Sequence, residues 1–247
     1  MDISDDLKEV IQKYADEYCQ FVNILCLPEF SAKVVPKDNK NDNYSILVST
    51  SYNPNQDYHT LYISEEIADD LDIVEKFKRN IFHEFTHMID AEKYAKCNKD
   101  AYIYLRGYTE FHASQVEFMH MLGAENINEK ISFSMNQMVL PQMSCRDYLA
   151  DKYELLVTEM SRESFYKDKD VMLNILGLLY NYLGIRSISK MYADYIDIDD
   201  FAFMADTFGS LLWSRIFHEM TGWFCDEQVR DSYISYSNAV LALFKQI

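Results

Sequence analysis

Residues 83–87 read His-Glu-Phe-Thr-His, inside a run whose apolar residues Val74, Phe77, Ile81, Phe85 and Met88 recur at helical spacing. With the acidic string Asp69-Asp70-Leu71-Asp72 ahead of it, suited to a helix N-terminus, this period predicts a long helix from about Ile73 to Ala95. His83 and His87 fall off the apolar stripe, one turn apart on the same flank. No other segment constrains the fold as strongly, because this helix must bury one face and present both imidazoles from another. Two imidazoles so placed can bind one metal ion, and Glu84 points one step around the helix, in reach of a water on that ion. Zinc held by imidazole and carboxylate lowers the pKa of its water towards neutrality. A carboxylate beside that water is the general base of a metal-assisted hydrolysis. The plainer alternative is two helix histidines paired by chance.

The rest of the chain supplies the setting. At 247 residues and 49% hydrophobic, it can form one large domain or two small ones with an ample core. Nineteen Tyr and fifteen Phe against six Gly and four Pro imply many packed elements and few long loops. A formal net charge of −17 argues against nucleic-acid binding, which needs basic clusters. The segment from Met1 to Val10 opens with acids rather than a basic and apolar leader, and no uninterrupted apolar run approaches a membrane span. The five cysteines, Cys19, Cys26, Cys97, Cys145 and Cys225, are odd in number and lack Cys-x-x-Cys spacing. They read as reduced and mostly buried thiols, Cys97 included, in a cytoplasmic protein.

Along the chain, an amphipathic helix is expected from about Ser4 to Leu27, stopped by Pro28. A polar loop (Lys37 to Asn43) leads to a strand from Tyr44 to Thr50, a turn at Asn53-Pro54-Asn55, and a second, antiparallel strand from Tyr58 to Ile63. His59 in that second strand reads as an ordinary exposed residue. Beyond the His-Glu-Phe-Thr-His helix, another is expected near Gly107–Leu122. From Ile127 onwards no strand is expected, and segments near 146–162, 168–183, 188–193, 201–217 and 227–244 read as helical. The expected organisation is residues 1–125 followed by a helical region, 126–247, packed on them, with the seam near Glu125–Met143.

Catalytic zinc requires one more protein ligand. Spacing leaves Glu110, His112, Glu117 and Asp90 open, and Asp90 is also placed to orient a ligating imidazole. At this point the chain resembles a family. His83-Glu-Phe-Thr-His-Met-Ile-Asp90 followed by Glu110-Phe-His-Ala113 is similar to the gluzincin metallopeptidases, in particular the anthrax-lethal-factor-like catalytic domain and the phage-immunity-type peptidases. The resemblance spans roughly Tyr44 to Gly123. It implies a zinc metallopeptidase acting on a protein or peptide substrate, with His83, His87 and Glu110 as ligands and Glu84 as base.

Two positions depart from the family pattern. Ser114 stands where thermolysin-like members carry an aspartate, and Ile103 stands at the offset of the tyrosine that serves the oxyanion. Tyr104, beside it, becomes the candidate oxyanion donor, with Tyr102 and Tyr108 close in sequence. The expected fold is α+β, a mostly helical zincin-like domain with a small antiparallel sheet beside the zinc helix. Two rival readings are a catalytically inactive zincin scaffold that binds or regulates a partner, and an all-helical interaction protein.

Overall fold

The computed structural model describes residues 3–36, 47–68, 78–162, 165, 167–195 and 201–244. It divides into two compact units: Met1–Tyr102 with Ala124–Glu129, and Ile103–Gly123 with Lys130–Ile247.

The first unit opens with α1 (Asp5–Val22), whose first turn is closed by Ser4 accepting from the Leu7 amide. The helix stops short of Leu27. Asn23 turns left-handed at φ 59°, and the amides of Asn23 and Ile24 bond back to the carbonyls of Gln20 and Cys19. Next come β1 (Phe30–Val35), β2 (Val48–Asn53) and β3 (Tyr58–Ser64), assembled in the order β1-β3-β2. As expected, β2 runs antiparallel to β3, with Ser51 opposite Thr60 and Tyr52 opposite His59. The sheet as a whole is mixed, however, which corrects the expected antiparallel sheet, because β1 pairs parallel to β3 with Ala32 opposite Leu61. Parallel pairing has no hairpin turn to announce it, so nothing local in Phe30–Val35 marked a strand.

Along β3 the burial alternates, with His59, Leu61 and Ile63 covered and Tyr58, Thr60 and Tyr62 half-open. A short α2 (Glu65–Ala68) follows, and α3 (Lys78–Tyr94) packs against α1 and β2. Ile81, Phe85 and Met88 of the expected stripe are fully buried, joined by Phe82. Val74, Phe77 and the acidic string before them lie outside the described residues, as do the first residues of the expected strand at Tyr44. Tyr18 stands edge-on to Phe82 and Phe85, at 5.3 and 5.6 Å between centroids, and Phe30 from β1 meets Phe85 at 5.8 Å. Such ring contacts add to plain area burial in binding α1, β1 and α3 into one core.

Helix α4 (Lys99–Met121) begins in the first unit and belongs to the second from Ile103 onwards. In the second unit it is followed by β4 (Met138–Leu140), β5 (Met143–Ser144), α5 (Cys145–Met160), α6 (Lys169–Tyr192), α7 (Phe201–Phe208), α8 (Ser210–Glu219) and α9 (Asp226–Phe244). The β4–β5 pair contradicts the expectation of no strand after Ile127, and strands of three and two residues are too short to show a period. Two helices expected at 168–183 and 188–193 are one, α6, while the helix expected at 201–217 is two, divided at Gly209 with φ 83°. Helix α6 is also long and apolar enough to cross a membrane by length and composition, although 67% of its most apolar stretch is buried inside the protein. Both units together make an α+β protein, mostly helical with two small sheets.

Candidate metal centre

Helix α3 places His83, Glu84 and His87 on a half-buried flank while Phe85 and Thr86 turn inward. The imidazoles of His83 and His87 lie 4.7 Å apart between centroids and nearly perpendicular, at 79°. Ligand atoms of His83, Glu84 and His87 come within 4.8 Å of one another, and among the described residues this is the group of three or more such side chains able to hold a metal ion. The helix alone accounts for the geometry. Positions 83 and 87 repeat after one turn, and position 84 stands beside them.

The inner side of the same turn is tied down. Tyr18 of α1 donates its hydroxyl to Thr86 Oγ1 at 3.0 Å, and Thr86 in turn donates to the Phe82 carbonyl at 2.9 Å. Burial holds the Tyr18 hydroxyl far above the usual phenol range, the bond to Thr86 opposes this, and the nearby Asp90 carboxylate adds to it. Asp90 is itself buried, only 1% exposed. Tyr18 and Thr86 carry no signal in the sequence, because a contact between residues 68 apart is invisible to any local pattern.

Glu110, His112, Glu117 and Tyr104 lie in the second unit and are placed by it. Glu110 is half-buried on α4, its Oε1 3.5 Å from where a Cβ on Gly177 of α6 would stand. Glu117 accepts a long hydrogen bond from the Tyr148 hydroxyl at 3.5 Å, and His112 stacks on Tyr108. Tyr104 is 45% exposed. Ser114 donates its hydroxyl to Asn181 Oδ1 at 2.8 Å. Tyr102, in the first unit, packs edge-on against Tyr52. The structure therefore brings together His83, Glu84 and His87, with Asp90 buried further along the same side of the helix.

The expectation of mostly buried thiols fails. Cys97 is exposed in a left-handed conformation at φ 53°, and Cys26 and Cys225 are exposed as well, so only Cys19 and Cys145 are buried thiols. Compared with protein-family models, with curated proteins and with solved structures, the chain finds no match.

Proposed function

We propose that this chain is a zinc-dependent metallopeptidase that hydrolyses a peptide bond in a protein or peptide substrate. One observation carries the reading: two imidazoles and a carboxylate come within 4.8 Å of one another on one half-buried helix flank. Imidazole nitrogen and carboxylate oxygen are the donors zinc takes in hydrolytic sites. When bound, the ion supplies Lewis acidity and a water acidic enough to lose its proton near neutral pH. His83 and His87 hold the ion. Glu84 takes the proton from the attacking water and passes it to the departing amine. Asp90 is proposed to accept the free N–H of a ligating imidazole, which fixes its tautomer. β2, an edge strand among the described residues and packed against α3, is proposed to align an extended substrate by backbone pairing. By the gluzincin resemblance, Glu110 is proposed as third ligand and Tyr104 as oxyanion donor.

The test is Glu84→Gln, assayed for bound zinc and for cleavage of a fluorogenic peptide library. Zinc should be retained and hydrolysis should fall by roughly 10²–10⁴-fold. Full activity in that variant would sink the proposal. Glu110→Ala should weaken zinc binding at least about tenfold if it supplies a ligand. Unchanged affinity would remove it from the ligand set.

A further inference from the structure

His59 stands in the middle strand of the first unit's sheet, on the face that carries Leu61 and Ile63, and is 1% exposed. That burial overturns its reading as an ordinary exposed strand residue. Neither Nδ1 nor Nε2 has a hydrogen-bond partner. Leaving a buried polar atom bare is costly, and leaving a charged one bare far more so. The ring is also fixed in place. It stacks on Tyr52, its register partner in β2, at 4.5 Å and 26°. The Tyr52 hydroxyl donates to Asp57 at 2.7 Å and accepts from the Cys97 amide at 3.0 Å, so the stacking platform is anchored at its far end.

Charged groups reach His59 from two sides: Glu92 from α3 and Asp57 from the β2–β3 turn. Both are engaged by Lys96, at 3.3 Å from Asp57 and in a short contact with Glu92. On the remaining side, β1 presents Phe30, which carries no charge. We propose that His59 is an acid-sensitive latch within the first unit: uncharged, it lets the sheet close on the helix that carries His83 and His87, and a proton on its ring drives the two apart. The protonated ring would hold two charged N–H donors in a site that satisfies neither nitrogen. This inference stands independently of whether α3 binds a metal.

Burial pushes the His59 imidazole down to about 4, and the weaker pull of Glu92 and Asp57 opposes it. Because the folded value lies below the ordinary value of about 6.5, the unfolded or opened state binds the proton first. The latch therefore holds in full above about pH 6.5 and weakens as the pH falls towards 4.

The experiment is amide hydrogen exchange of the full chain at pH 7.5 and pH 5.0, corrected for the intrinsic exchange rate, in wild type and His59→Phe. The substitution keeps a ring against Tyr52 but cannot take a proton. Opening of β3 and α3 in wild type should rise by about 30-fold more than in the variant over that interval. Equal rises in both chains would overturn the latch. Should His59→Phe fail to fold, the imidazole of His59 in wild type is titrated directly by NMR. A midpoint below 6 supports the proposal, and a midpoint at or above 6 overturns it.

Discussion

Thr86 sits between Phe85 and His87 and takes part in no chemistry, yet it shows how the site is braced. It accepts from Tyr18 and donates to Phe82, a buried relay that joins α1 to the turn bearing the two imidazoles. Tyr18→Phe removes the first of these bonds and leaves the second intact, so no buried donor is orphaned. The expected cost is about 1 kcal/mol, read as a lower urea midpoint with unchanged slope. A cost above about 3 kcal/mol would mean that the hydroxyl also satisfies a second buried group. At this scale the sequence was legible wherever helix period alone fixes distances. His83, Glu84 and His87 needed nothing else. The burial of His59 and Asp90 did not follow from their neighbours in sequence, since a strand histidine and a helix aspartate read as exposed by default.

Helix α6 carries two glycines that look alike in sequence and differ in what they face. A Cβ on Gly184 would stand 2.3 Å from the Phe111 carbonyl oxygen and 2.9 Å from Ser114 Cβ, a backbone approach of α4 that only glycine permits. Gly184→Ala gains about 1 kcal/mol in helix propensity but must push α4 away, and overpacking of this kind costs roughly 1–3 kcal/mol or more. A lower melting temperature is expected. At Gly177 the same Cβ meets Glu110 Oε1 at 3.5 Å, an ordinary contact. There the propensity gain wins, and Gly177→Ala should raise the melting temperature; a fall would contradict the packing described. Helical spacing suggests separate segments at 168–183 and 188–193 where α6 runs unbroken through Gly184, and one segment at 201–217 where the chain breaks at Gly209. Composition does not tell a packing glycine from a breaking one. The parallel strand β1 was missed for a related reason: its partner β3 lies beyond β2 in sequence, and no turn links the two.

For the molecule as a whole, the α+β character and the helical second half were readable from periodicity and from the scarcity of glycine and proline. Helix α4 contributes to both compact units, and Ala124–Glu129 belongs with the first, where the Ile127 amide bonds to the Phe21 carbonyl. Metal held by the native chain and not by the unfolded one should also stabilise it. Free zinc at about 100 times its dissociation constant adds roughly 2.7 kcal/mol, seen as a rise in melting temperature. The most direct measurement is zinc content by elemental analysis after exhaustive dialysis, on wild type and on a His83→Ala/His87→Ala chain shown by circular dichroism to be folded. The arrangement on α3 predicts about one zinc per wild-type chain and almost none in the double variant. Equal zinc in the two chains, or none in wild type, would contradict it.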